Sequence, residues 1–121
     1  MKERNYDLED RLIGFAVRII KMAEKLPDTK IGNHIRTQIS RSGTSPAPNY
    51  GEAQGAESRS DFIHKLKIAL KELKETKVWS KIIVRAELIK PTSKLESLLQ
   101  ENEELISIIF TSIETARNND K

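Results

Sequence analysis

The chain has no cysteine, which rules out disulfides, thiolate metal sites and a cysteine nucleophile. Only five glycines and four prolines occur among its 121 residues, while Leu, Ile, Ala, Lys and Glu dominate, a composition that favours helices over sheets. Apolar runs are a few residues long, far short of a membrane span, so no membrane partner is expected. The opening MKERNYDLEDRL is charged and lacks an apolar segment, so it does not read as a signal peptide. A cytoplasmic chain is the expectation. Its two histidines, His34 and His64, fall on different predicted helices with no Glu-x-x-His pattern near either, and no metal or cofactor is expected. Gly51 and Gly55 are too sparse for a phosphate-cradling loop, and no nucleophile elbow is present. Neither an enzyme nor a small-molecule substrate is indicated.

What is present is helical periodicity. The length suits one domain, residues 1–121, around one core. A first helix is predicted over about residues 7–26, with Leu8, Leu12, Phe15, Ile19, Met22 and Leu26 inward and Ala16, Ile20 and Ala23 widening the stripe. Pro27-Asp28 ends it, and Thr29 caps a second helix from about Lys30. This helix breaks or kinks at Gly43-Thr44-Ser45-Pro46, where Ser45 suits an N-cap and Pro46 the first helical position. A short continuation over about 46–55 follows. The third helix starts near Ser58 or Ser60 and reaches about Ile89; beyond Val78 its apolar residues surround it, so that end needs cover on most sides. Ser93-Lys94-Leu95-Glu96 has the form of a capping box for a last helix running to about Ala116, with Asn102 interrupting its apolar stripe. Short connections between four such helices imply an all-α, antiparallel up-down four-helix bundle whose second helix is kinked at Ser45-Pro46.

Two polar patterns stand out against this background. Gln38, Arg41, Ser45, Asn49 and Glu52 recur at steps of three or four, a polar column where a core stripe would be expected. One reading is a buried hydrogen-bond network in which Arg41 pairs with Glu52 or Glu75 and Asn49 bonds backbone freed at the kink; another is a ligand or nucleic-acid pocket. In a buried network Arg41→Met perturbs folding less than Glu52→Ala, which strands a charge. The second pattern is charge. From Asp61 to Lys90 there are eight basic residues against four acidic, and from Pro91 to Lys121 three against six. On the third helix Lys67, Lys71, Lys74, Lys81 and Arg85 share one face, with His64 at its head, a stripe able to follow a phosphate backbone. A solvated lysine face and attraction to the acidic last helix of the same or a neighbouring subunit are alternatives. Aromatic interleaving is absent from the stripe, so shape and backbone should dominate over base reading. Glu72 and Glu75 read as flank residues that support the helix.

Gln38-x-x-Arg41-Ser42-x-x-Ser45, then Asn49-x-x-Glu52, then Phe62-x-x-x-Leu66-x-x-Ala69 and Glu75 resemble the signature of a bacterial four-helix-bundle family encoded in intervening sequences of 23S rRNA genes. The resemblance spans about residues 8–90. This chain departs from the family pattern at Asn49-Tyr50-Gly51-Glu52-Ala53 (usually Asn-Ile-Ala-Glu-Gly) and at Glu72 (usually Ser), and it adds Pro46 and Pro48, which suggests a distinct subfamily. The resemblance implies a left-handed bundle that assembles into a homopentameric ring, an RNA- and ribosome-associated role, and no defined catalytic site. A related branch comprises accessory proteins of retroelement reverse transcriptases, so an adaptor for a larger enzyme is the competing expectation. Five copies of a +3 chain would make weak individual stripes act together.

Overall fold

A computed structural model describes the backbone of residues 2–119 and the side chains of residues 8–119. The elements follow in order: α1 (Lys2–Ala23), α2 (Lys30–Thr44), α3 (Pro46–Gln54), α4 (Arg59–Arg85), a 3-10 turn (Thr92–Leu95) and α5 (Glu96–Asn118). α2 and α3 form one arm bent by 20°, and the result is an all-α four-helix bundle. α1 and α4 each pack against the bent arm and against α5, which sets α1 diagonally across from α4.

The core forms where the spacing predicts it. Leu8, Leu12, Phe15, Ile19 and Met22 are buried along α1, with Leu26 in the turn beyond it. They meet Ile35 and Ile39 of α2, Leu66, Leu73 and Ile83 of α4, and Leu98, Leu105, Ile109 and Ile113 of α5. Ile20, read as widening the α1 stripe, is instead 44% exposed, and Ile13 and Val17 are exposed with it. α2 closes over the Ile19 column through Gly43, where an added Cβ would lie 2.7 Å from Ile19 Cγ2. The neighbouring column is left outside.

Helix ends show which local signals prevailed. Thr29 Oγ1 accepts the Gly32 N–H at 3.0 Å, and Ser58 Oγ accepts the Asp61 N–H at 3.0 Å. The last carbonyls of the α1 turn are held by Arg36, whose Nε donates to Ala23 O at 3.0 Å and whose Nη2 donates to Leu26 O at 2.7 Å. α4 stops at Arg85, short of the predicted Ile89. Glu87 takes a left-handed φ of 54°, and the N–H groups of Glu87 and Leu88 return to Val84 O and Ile83 O. That pattern is a Schellman closure without its usual glycine, so the sequence carries no obvious stop signal there. The predicted capping box at Ser93 does not form: Ser93 lies within the 3-10 turn, and α5 begins after the buried Leu95 with no side-chain cap.

Ser45 also differs from its predicted role. It is helical (φ −70°, ψ −35°) and makes no side-chain cap bond, while its N–H reaches Arg41 O. The helix therefore bends rather than restarting. Pro46 and Pro48 supply no N–H for the carbonyls of Ser42 and Thr44, which removes two bonds of the ladder at the bend. Asn49 Nδ2 donates to Ser45 O at 3.0 Å and to Ser45 Oγ at 2.9 Å across the bend. On α5, Asn102 is 1% exposed; its Nδ2 donates to Leu73 O at 3.1 Å and ties α5 to α4, while its Oδ1 is without a partner.

Two of the helical glycines, Gly14 and Gly43, should respond oppositely to alanine. An added Cβ at Gly14 meets nothing within 4 Å. Gly14→Ala is expected to stabilise the fold by about 0.5–1 kcal/mol through helix propensity. Gly43→Ala is expected to cost about 1–3 kcal/mol by forcing α2 off α1. Urea denaturation midpoints of the two variants check both signs.

Candidate nucleic-acid interface

α4 sorts its charges by face. Its inner face buries Leu66, Ala69, Leu73, Thr76, Ser80 and Ile83 against the bundle. The flanking lysines are engaged: Lys65 Nζ lies 2.7 Å from Glu52 Oε1, and Lys77 pairs with Glu103 of α5. The Glu52 carboxylate raises the pKa of Lys65. On the outer face His64, Lys67, Lys71, Lys74, Lys81 and Arg85 are all exposed. Among the described residues none of these six has an ion-pair partner within 4.0 Å. His64 and Lys67 border a shallow depression at the head of the stripe together with Arg59, Ser60 and Ile63.

Val78 and Ile82 lie within the same outer face and are 56% and 39% exposed. The cover predicted for this end of the helix is thus missing on its outer side, and the stripe is basic and apolar together.

The polar column divides into separate pieces. Arg41 Nη1 donates to Glu72 Oε1 at 2.9 Å, and its Nη2 pairs with Glu75 Oε2. Glu72 is only 8% exposed, a buried carboxylate where the sequence suggested a flank residue. Trp79 Nε1 donates to Glu75 Oε2 at 3.0 Å, and the rings of His34 and Trp79 meet in a T-shaped arrangement, centroids 5.9 Å apart with the planes at 79°. Hydrogen bonds from Arg41 and then Trp79 hold the Glu75 carboxyl below the usual range, and Glu75 in turn raises Arg41. Beneath this clamp the Thr76 hydroxyl lies 2.8 Å from both Ser42 Oγ and Glu72 O. Ser45 and Asn49 bond to each other at the bend, Gln38 is half-buried on α2, and Glu52 turns to Lys65 instead of Arg41.

Matched as a whole, residues 4–111 fit the family described as 23S rRNA-intervening sequence protein. The chain belongs to that family. A crystal structure of a protein of unknown function from the S23 ribosomal protein family of Bacteroides thetaiotaomicron VPI-5482 is similar to it, with 38% identity, a TM-score of 0.81, and coverage of 88% of this chain and 97% of that one. No curated protein is significantly similar to this chain.

Two further features of the chain bear on the choice of site. An open cleft of about 740 Å³ lies between α1, α3, α4 and α5, bordered by Tyr50, Gln54, Phe62, Ser107 and Thr111. Arg11 is the single charged side chain among its described lining residues, and it is already held by Glu101 and Glu104. Among the described residues no three His, Asp or Glu side chains converge on a point, and no helix is long and apolar enough to cross a membrane.

Sequence reasoning missed Glu72, His34 and Trp79. Glu72 falls three residues after the core Ala69 and four before the core Thr76, a spacing that marks it as inward. The His34–Trp79 contact joins two helices and leaves no trace within either.

The clamp predicts an order of stabilities opposite to that of a single network through Glu52. Arg41→Met leaves Glu72 buried without its counter-ion and should cost about 1–3 kcal/mol, whereas Glu52→Ala should leave stability nearly unchanged, as read by thermal or urea melts. Glu75 also has a pH signature. Its folded pKa is depressed, so its contribution is complete above the unfolded glutamate value of about 4.3 and fades as pH falls through the folded value. Glu75→Gln should therefore flatten the acid limb of the stability–pH curve below about pH 5.

Proposed function

We propose that this protein is a non-enzymatic, cytoplasmic, RNA-associated bundle that assembles as a homopentameric ring. It touches structured RNA through His64, Lys67, Lys71, Lys74, Lys81 and Arg85. The observation that carries this reading is the sorting of cations on α4, in which flanking lysines are neutralised by carboxylates and outer ones are left to solvent along a helix of 27 residues. Such a face can exchange counterions for phosphates with little loss of internal pairing. The description of the family supports 23S rRNA as the first RNA to try. Self-association is supported by Ile13, Val17 and Ile20, an exposed apolar row on α1 that another protein surface would cover.

The same row supports a second reading, a protein-interaction adaptor without direct RNA contact, for example an accessory subunit of a reverse transcriptase. Phe110 of α5, 51% exposed, adds to it.

Binding of a 23S rRNA fragment across a salt series separates the two. Under the RNA reading the log–log slope should be roughly 0.7–0.9 per phosphate contact, and replacing Lys67, Lys71 and Lys74 together by Glu should abolish binding. No binding at low salt, or unchanged binding by the triple variant, would overturn the site. Sedimentation of the same protein should give a ring-sized particle, and a monomer would overturn the assembly.

A further inference from the structure

Beside the basic face of α4, on its side toward α2, is a patch that phosphate contact does not use. Trp79 is the only tryptophan of the chain. Its indole is fixed on one side by the hydrogen bond to Glu75, itself held by Arg41, and on the other by the edge-on contact with His34. His34 is exposed and Trp79 half-buried, so the pair opens to solvent. Ile31, one turn before His34 on α2, is 56% exposed, and Val78 and Ile82 are exposed beside Trp79 on α4. Cations border the patch on its outer side: Lys74 lies four residues before Val78 and Arg85 three residues after Ile82 on the same helical face, with Lys81 between them.

We propose that the His34–Trp79 pair seats an unpaired nucleobase of an RNA whose backbone runs along Lys74, Lys81 and Arg85. The inference rests on the RNA reading of α4 and narrows its ligand class to RNA with a bulged or looped nucleotide. Three features favour this occupant. A lysine face alone cannot tell a paired strand from an unpaired one, because both present phosphates. A base out of its stack offers an apolar face and seeks an aromatic one, and stacking is most effective on a ring that is already immobilised. The basic edge is complementary to the phosphates next to such a base, and Val78 and Ile82 supply apolar contact that phosphates do not need.

The sole tryptophan makes this directly measurable on the full chain. Two hairpin RNAs of equal length are compared, one fully paired and one carrying a three-nucleotide bulge. The bulged hairpin should bind about tenfold tighter and quench Trp79 fluorescence, while the paired hairpin binds with the same salt dependence and little quenching. His34→Ala should reduce the preference to less than about threefold without weakening the paired hairpin, and His34→Phe should restore it. Equal, salt-dependent binding of both hairpins with no quenching would overturn the base seat and leave the basic-face reading standing. Binding of neither hairpin at low salt would overturn both. An emission that shifts with protein concentration alone, and no longer responds to RNA, would show that a second copy of the chain covers the patch, which also overturns the seat.

Discussion

A carboxylate buried between two helices needs a counter-charge, and Glu72 finds it in Arg41. Much of the α2–α4 arrangement follows from that contact. The guanidinium spans two carboxylates one turn apart on α4, which fixes both the height and the rotation of α2 against it. With this register set, Ser42 meets Thr76 beneath the ion pair. Glu75 is also turned toward the Trp79 indole, and His34, two turns before Arg41, reaches the same ring. Because α4 presents Glu72 and Thr76 inward, its opposite side, with Lys67, Lys71 and Lys74, must face solvent.

The bend in the second arm is compatible with this clamp because the arm is anchored on both sides of it. Arg41 holds the arm just before Pro46, and the Glu52–Lys65 pair joins it to α4 beyond Pro48. Two prolines remove two ladder donors, and Asn49 adds side-chain bonds to Ser45 across the gap. Close packing then depends on small side chains. Gly43 lets α2 rest on Ile19, and Ser42, Thr76 and Ser80 keep the α2–α4 seam narrow.

Charge is used in two ways on this bundle. Between helices it is neutralised, as in Arg11 with Glu101 and Glu104, Lys77 with Glu103, and Arg41 with Glu72 and Glu75. On the outer face of α4 Lys67, Lys71, Lys74, Lys81 and Arg85 make no ion pair among the described residues, which leaves that face open to a polyanion. The acidic excess noticed toward the end of the chain includes Asp120, outside the described residues; within them, Glu101, Glu103 and Glu104 are drawn into interhelical pairs. Intramolecular attraction between the basic and acidic helices is thus real for Lys77 but does not extend to the outer lysines.

Periodicity by itself determined the helices, the bundle and most of the core, because burial of Leu12, Phe15, Ile19, Leu73 and Leu105 needs only a 3.6-residue repeat and a partner. It also placed Lys67, Lys71 and Lys74 on one face, since same-face membership is a property of a single helix. Capping was legible where the signal is local, at Thr29 and Ser58, and failed at Glu87 and Ser93, where closure depends on backbone conformation and on the burial of Leu95. Only the tertiary structure decided that Arg41 answers Glu72 and Glu75 instead of Glu52, that Ile13, Val17 and Ile20 remain outside, and that His34 meets Trp79. Each of these depends on how two helices are rotated and spaced against each other, a quantity that no repeat within one helix can encode.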